Sequence, residues 1–450
     1  MPTISEIQTC INNLTTASEA AEFAILATQA VRETSNNLSF SVATVADLPD
    51  LYTANIPNGQ IVYVGSLGIP VVSTRFYEWL GLDGRLIRKD GFSSWIHSWG
   101  SNNCGQLGDF TATNRSSPVT VAGPTSNWCM VSAGAYFSAA IRQDGTAWTW
   151  GCNSCGQLGD NSLVTQFSPV SVVGGSSSWC AISAGAVHTT ALCNNGTAWA
   201  WGYNAQGQLG NNTITSRLSP VAVVGGINNW CAISGGRCHT AAVTTDCRLY
   251  LWGANTCGRL GDNSVINKCS PVQTAGSTTG WCMVSAGRSH TSAVKTDTTL
   301  WTWGDNACGQ LGDGFVVSKS SPAQTAGLTT SWCTVSSGGY HSAAVKTDGT
   351  LWTWGLNSSG QLGNSTVTIR SSPGAIAGAG TLWCSVSAGR EHNVALRTDG
   401  TAWTWGSNAQ GRLGDNTAAN RSSPVQIAGG GSTWCGASAS QSHTTALCTR

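Results

Sequence analysis

Short runs of alternating apolar and polar residues recur through residues 89–450, and Gly, Asn or Asp separates them. In one unit, WCAISAG, HTTALC, AWAWG and SPVAVV have the length and the β-branched or aromatic content of strands, and NNGT has the composition of a hairpin turn. Trp199 and Trp201 share one face of their strand because side chains alternate with a period of two. The pattern predicts four strands per unit.

The units repeat at a constant interval. The dipeptide WG ends at Gly100 and recurs every 51 residues as far as Gly406, and WC keeps the same step from Trp128 to Trp434. A fixed period of this size is typical of solenoids and propellers, and four strands per unit favour a propeller blade. Seven WG copies therefore predict an all-β fold with seven blades.

The two ends of the repeat array are complementary halves. The first WG unit has no WC half before it, whereas the last unit, Trp434–Arg450, has that half and stops where the next turn should begin. We expect the C-terminal and N-terminal strands to form one composite blade, because closure of the ring removes exposed sheet edges.

The residues before position 89 do not share the 51-residue repeat. A stripe of Ile4, Ile7, Ile11 and Leu14 predicts a helix over 3–34, which either forms a short coiled coil or packs on its own domain. A small β module should follow, with strands Gln60–Val64 and Ile69–Ser73 and a further pair about Asp83–Gly84. The predicted domains are 1–38 (helix), 39–88 (β module) and 89–450 (propeller).

The motif WGxNxxGQLG, followed by SSPV and accompanied by SAGxxHT and TDGT, resembles the regulator-of-chromosome-condensation repeat family over residues 89–450. The resemblance implies a seven-bladed propeller. Its members include a nuclear guanine-nucleotide exchange factor, ubiquitin-ligase modules and a secreted β-lactamase inhibitor, so it does not fix a function. The exchange factor carries a wedge that interrupts its repeats, and no insertion interrupts the repeats here.

Composition narrows the functional classes. Only 10% of the residues are charged and the net charge is +1, so no field of the whole chain favours nucleic acid or a membrane, and no run is long enough for membrane insertion. The N-terminus lacks signal-peptide features, and we expect synthesis in a cytosol. The eighteen cysteines should then be reduced, and Cys384, with no partner in its own repeat, suggests that the WC cysteines are small buried residues.

Candidate chemistry is sparse. The CxxC of Cys152 and Cys155 combines one recurrent and one variable repeat position, so we expect no zinc site there. A ring of histidines either binds a metal in the channel or makes the same hydrogen bond in each blade, and we favour the hydrogen bond; its members are His188, His239, His290, His341, His392 and His443, with Phe137 in the seventh position. Glu391 is the single glutamate after residue 88, and no enzyme activity, cofactor or metal is predicted.

Positions that vary between repeats indicate where a ligand binds. The variable positions are the two residues that precede each histidine position and the residue that follows each WG. They give the candidate binding residues Arg237, Arg288, Arg390, Glu391, Tyr203, Asp305, Tyr340 and Tyr136. A third, basic position holds Arg115, Arg217, Lys268, Lys319, Arg370 and Arg421, with Gln166 as the exception. These cations either pair with the nearby GD aspartate or form a ring that meets an anionic glycan or phosphate, and we favour the pairing.

Two functional hypotheses remain. The segments VADLPDLYTANIPNGQIVYVGSLGIPVV and EWLGLDGRLIR resemble parts of bacteriophage tail and capsid-appendage proteins. We therefore expect a virion protein, made in the host cytoplasm, that binds other virion proteins through residues 1–88 and a host-surface glycan or protein through the propeller, without nucleic acid. The alternative is a cellular regulatory propeller that binds proteins, as an exchange factor or a scaffold. The oligomeric state is left open.

Overall fold

A computed structural model describes residues 94–449, with short gaps at 124–125, 175–177, 277–278, 328–329, 379, 381 and 430–432, and four strands between residues 60 and 88. The helix predicted over 3–34 lies outside the described residues.

The repeats form seven four-stranded antiparallel sheets, as the sequence predicts. Each sheet runs from an inner strand A through B and C to an outer strand D. The A strands of blades 2 to 7 and of blade 1 are Trp128–Ala133, Trp179–Ala184, Trp230–Gly235, Trp281–Ala286, Trp332–Ser337, Trp383–Ala388 and Trp434–Ala439. In the same order, the B strands are Phe137–Arg142, His188–Cys193, His239–Thr244, His290–Lys295, His341–Lys346, His392–Arg397 and His443–Thr449.

The C and D strands complete the sheets. The C strands are Ala147–Gly151, Ala198–Gly202, Leu249–Gly253, Leu300–Gly304, Leu351–Gly355, Ala402–Gly406 and, in blade 1, Ser94–Gly100. The D strands are Gln166–Ser171, Arg217–Ala222, Lys268–Gln273, Lys319–Gln324, Arg370–Ala375, Arg421–Gln426 and, in blade 1, Arg115–Thr120. Within the described residues, helical structure is limited to the single 3-10 turns Thr256–Gly258 and Ala409–Gly411.

Blade 1 joins the two ends of the described repeat array. Its A and B strands come from the C-terminal segment and its C and D strands from the start of the array. His443 lies opposite Gly100 and Cys448 opposite Trp95, so the seam carries a full antiparallel ladder. The composite blade leaves no unpaired inner strand where the ring closes.

A separate sheet precedes the propeller. Its antiparallel strands, Gln60–Val64, Ile69–Thr74, Tyr77–Leu80 and Arg85–Arg88, follow one another in a simple meander. They occupy the segments in which the sequence predicts strands.

The GQLG element holds neighbouring blades together. Leu107 is fully buried, and the indole Nε1 of Trp150 in the next blade donates a 3.0 Å hydrogen bond to the carbonyl oxygen of Gln106. Gly108 has a φ of +69°, and a Cβ there would lie 2.7 Å from that indole nitrogen. The glycine is therefore required both by the turn and by the close approach of the indole.

Candidate binding face

The disc has two different ends. We call the end with the A–B turns and the long C–D loops the upper end, and the end with the B–C turns and the D–A links the lower end. Among the described propeller residues, eleven basic and seven acidic side chains belong to the upper end, against five of each at the lower end. The topology thus concentrates on one end a positive charge that the net charge of the whole chain conceals.

The histidine ring is part of the blade contacts. Nε2 of His188 lies 3.0 Å from Oγ1 of Thr240 in the next blade, and that hydroxyl donates to the carbonyl oxygen of Gln208 at 2.9 Å. The hydroxyl therefore accepts from Nε2–H, and the imidazole is neutral. Five further histidines make the equivalent contact to Thr, Ser or Asn, which are His239, His290, His341, His392 and His443.

Burial determines the titration of these rings. It lowers the pKa of His188 and His341 to about 4, and burial first and neighbouring charges second lower that of His290 to about 3. A fully buried imidazolium loses its hydration without gaining an anionic partner. Each ring is thus assigned to a hydrogen bond between blades, the interpretation that the sequence favours over a metal site.

The CxxC residues have separate surroundings. Burial first, and Cys152 second, raise the pKa of the Cys104 thiol to about 11, so Cys152 faces the preceding blade across the interface. Cys155 instead contacts the hydroxyl of Ser154 at 3.9 Å. The two cysteines of the motif point to different partners, consistent with a coincidence of repeat positions.

The expected burial of the WC cysteines is wrong for most of them: only Cys435 is buried, Cys180 is exposed, and the others are half-buried. Each lies at the register shift that follows the tryptophan at the start of its A strand, as Cys384 does. Partial burial still raises the pKa of the Cys384 thiol to about 12, which disfavours the reactive thiolate.

The basic position on the D strands pairs internally where an acid is available. Arg421 lies 2.7 Å from Asp415 and Arg115 2.9 Å from Asp109, while Lys268 and Lys319 approach their aspartates at 3.7 and 3.9 Å. Two repeats carry asparagine instead of that aspartate, and in the described part of the chain Arg217 and Arg370 form no ion pair. Pairing is therefore the main role of this position.

Three of the candidate binding residues lie around one cavity. Arg237, Arg288 and Arg390 line the upper mouth of the central channel, a cavity of about 130 Å³. Its walls are the small residues of the A–B turns, mainly glycine and alanine, so no bulky side chain fills it. The topology brings the arginines together because each follows an A strand on the inside of its blade.

The other candidates differ in their relation to this cavity. The Arg288 guanidinium stacks 4.8 Å from the centre of the Tyr340 ring, and Glu391 lies 3.4 Å from Nε of Arg390. Tyr136 accepts a 2.8 Å hydrogen bond at its hydroxyl from Gln441, which lines the cavity. Tyr203 and Asp305 follow C strands on the same end but do not line the cavity, so the structure separates them from the arginines.

Two buried arginines were missed by the sequence analysis. Arg259 and Arg412 replace the glutamine of GQLG, and Nη1 of Arg259 donates to the carbonyl oxygen of Arg288 at 3.1 Å. Nη1 of Arg412 makes the same contact to Gln441 at 3.1 Å. Burial lowers the pKa of both, although each stays protonated. The replacement of GQLG by GRLG in two repeats was the sequence signal that could have identified these arginines.

An exposed apolar ring was also missed. The third residue before each D strand is aliphatic and exposed in all seven blades; we call these residues, Ala112, Leu163, Ile214, Val265, Val316, Val367 and Ala418, the rim ring. Ile214 is 67% and Val265 65% exposed. Next to the ring, Phe110, Ile266, Phe315 and Val317 are equally exposed. Because an exposed aliphatic residue recurs at this position in every blade, the rim ring is a candidate interaction surface.

Comparisons with known proteins identify the family. The RCC1-like domain family matches residues 88–383, and the regulator of chromosome condensation (RCC1) repeat matches residues 383–412 and 399–447. The chain belongs to the RCC1-like family. Proteins of this family are mainly regulators or binding proteins, which supports a non-enzymatic role at that level of detail.

Several relatives of the RCC1-like chain are cellular proteins. The ultraviolet-B receptor UVR8 of Arabidopsis thaliana is 31% identical over 341 residues, covering 74% of this chain and 77% of the receptor. The mitochondrial RCC1 domain-containing protein RUG3 of the same plant is 28% identical over 362 residues, covering 73% and 81%. The structure of Prp20p from Saccharomyces cerevisiae has a TM-score of 0.71 at 19% identity, covering 81% and 93%, and shows the shared fold.

These relatives correct the functional expectation. A virion appendage protein and a virion location are both wrong, because the related proteins are cellular, including a plant receptor and a mitochondrial protein. The comparisons do not show the resemblance of residues 45–72 and 78–88 to phage proteins, nor binding to virion proteins or to a host glycan. The inference failed because weak similarity in a non-repeating segment was weighted above the specific repeat.

Proposed function

We propose that this RCC1-like chain is a non-catalytic cellular regulator that binds a protein partner with the upper end of its propeller. The observation that carries the proposal is the coincidence, on one end, of the rim ring and the excess of basic side chains. Exposed apolar residues on a soluble protein mark binding surfaces, and charge around them aids encounter and orientation.

The lower end lacks both features. Its B–C turns carry paired charges such as Arg142–Asp144 at 3.3 Å and Arg248–Asp246 at 2.9 Å. The one large apolar side chain that is strongly exposed there among the described residues is Leu382, at 48%. A partner therefore gains less apolar burial and less electrostatic attraction at this end.

The relatives support a protein as the ligand. The structure of Prp20p is described together with the binding of that protein to Gsp1p and histones. We propose a scaffold role and not nucleotide exchange, because the 51-residue period runs from Gly100 to Gly406 without an inserted wedge. The regular disc offers a broad surface in place of a projecting element.

Position-specific photocrosslinking tests the proposal. A crosslinking amino acid is placed at Ile214 or Ile266 on the upper end, and at Asn195 or Asp297 in the lower B–C turns. We expect one shared protein adduct from both upper positions and none from the lower ones. Adducts from the lower positions alone would show that the wrong end has been assigned.

A matched pair of variants checks the contribution of the apolar surface. Ile266→Ser removes an exposed apolar side chain from the upper end, and Leu382→Ser does so at the lower end. We expect the upper variant to weaken the crosslinked partner's binding about tenfold, from loss of roughly 1–1.5 kcal/mol of apolar burial, and the lower variant to leave it unchanged. Equal effects of the two substitutions contradict a specific role of the exposed apolar surface at the upper end.

A further inference from the structure

We propose that the upper mouth of the channel is a binding site for a phosphoryl group, held by the guanidinium groups of Arg237, Arg288 and Arg390. The three residues line a single cavity of about 130 Å³ whose walls are turns of small residues. Guanidinium groups offer paired N–H donors that match phosphate oxygens, and several around one cavity favour a multiply charged anion.

The cavity has too few carboxylates to neutralise these arginines. Glu391 pairs with Arg390 at 3.4 Å. In the part of the propeller that the structure describes, neither Arg237 nor Arg288 forms an ion pair, and the stacking of Arg288 on Tyr340 orients its charge without cancelling it. Two positive charges therefore stay unmatched, and a phosphoryl group, with a charge of about −1.5 to −2 near neutral pH, would balance them.

Buried arginines behind the mouth add to the same field. Arg259 is 8% exposed, and its Nε and Nη1 bond the carbonyl oxygens of Thr256 and Arg288 at 3.0 and 3.1 Å. Arg412, also 8% exposed, bonds the carbonyl oxygen of Gln441. Both guanidiniums are fixed in position and add positive charge behind the mouth, although Asp305 near Arg259 and Glu391 near Arg412 offset part of it.

The backbone amides of the three arginines are already hydrogen-bonded and do not contribute to anion binding. The amide nitrogens of Arg237, Arg288 and Arg390 donate to carbonyl oxygens of Gly287, Gly338 and Ser440, at 3.1, 3.2 and 2.9 Å. These amides close the ring from blade to blade and are not available for an anion. Recognition of a phosphoryl group at the mouth therefore rests mainly on the guanidinium groups, and their removal should strongly weaken binding.

The phosphoryl group has two sources, a phosphorylated side chain of a protein partner or a small phosphorylated molecule. The first source rests on the proposed function, because the mouth lies on the end that is assigned to the partner. The second source does not depend on it. Both place the same chemistry between the three arginines.

Calorimetric titration of the full chain tests the site. The probes are inorganic phosphate, pyrophosphate and a phosphoserine peptide with its unphosphorylated form, all at low salt. Arg237→Gln, Arg288→Gln and Arg390→Gln are combined in one variant. The control combines Arg142→Gln and Arg248→Gln, which removes two positive charges from the lower end. We expect the first variant to lose at least about tenfold in pyrophosphate affinity and the control less than about twofold.

The outcomes separate the sources and the two proposals. A phosphopeptide that binds far more tightly than pyrophosphate indicates a partner side chain, and the reverse order indicates a small molecule. Absence of binding to every phosphorylated probe, or equal binding by the triple variant, overturns the site, and if crosslinking from Ile214 and Ile266 persists, the proposed function stands without it. If the triple variant has a reduced melting temperature, Arg237→Gln alone, at an exposed residue, gives the same comparison.

Discussion

Acidification should unfold the propeller well above the pH at which its carboxylates titrate. Six histidines are fully buried and neutral, with pKa values that burial lowers to about 4 for His188 and His341, to about 3 for His290 and His443, and well below the ordinary value for His239 and His392. In the unfolded chain each titrates near 6.5.

The direction of the change in stability with pH follows from the number of protons that each state binds. Between the unfolded pKa and the lowered folded values, the unfolded state binds more protons, so stability is complete above about pH 6.5 and falls as the pH decreases. At pH 5.5 each histidine favours the unfolded state by about 1.4 kcal/mol, and six together by about 8 kcal/mol. This is comparable with the whole stability of a typical domain, about 5–15 kcal/mol.

Urea unfolding at half-unit intervals from pH 7.5 to 5 measures the effect. The free energy of unfolding should be nearly constant above pH 7 and then decrease with a slope that approaches six protons. The aspartates with lowered pKa values, Asp109 and Asp415 among them, affect stability only near and below their ordinary range, at about pH 4. A free energy that stays flat from pH 7 to 5 would falsify the neutral, buried assignment.

The chain provides its own control substitution. Phe137 occupies the histidine position in blade 2, and Thr189 opposite it still donates to the carbonyl oxygen of Gln157 at 2.7 Å. His290→Phe should therefore be tolerated, with Ser342 keeping its 2.9 Å bond to Gln310. Between pH 6 and 5, the slope of the unfolding free energy of this variant against pH should be smaller by about one proton than that of the unmodified chain. An unchanged slope contradicts the contribution of that ring.

Three further predictions concern the fold. Deletion of Trp434–Arg450 removes the inner strands of blade 1 and should give insoluble or unfolded protein, whereas wild-type thermal stability would contradict the composite blade. Leu311→Ala, at a fully buried contact between blades, should cost about 2–5 kcal/mol in urea unfolding, whereas Val316→Ala, at a residue 60% exposed, should cost less than about 0.5 kcal/mol. Freshly made protein, denatured without reductant, should titrate close to eighteen thiols, and several disulfides would refute synthesis in a reducing compartment.

The sequence alone determined the architecture of the repeats. A 51-residue period with four alternating segments per unit specifies a blade, since each segment buries one face and each unit repeats the same contacts. The half-units at the two ends also specified the composite blade, because an unpaired inner strand would be exposed otherwise.

Tertiary structure decided the candidate site. Arg237, Arg288 and Arg390 are 51, 102 and 153 residues apart in the sequence, and only closure of the ring places them around one cavity. The net charge of +1 conceals the excess of basic residues at the upper end, because composition averages over the two ends. The rim ring could not be predicted either, because the sequence of a loop does not reveal whether its apolar residues are exposed or whether they lie on the same end of the propeller. Periodicity encodes local contacts, whereas a binding surface depends on which distant residues the fold brings to the same side.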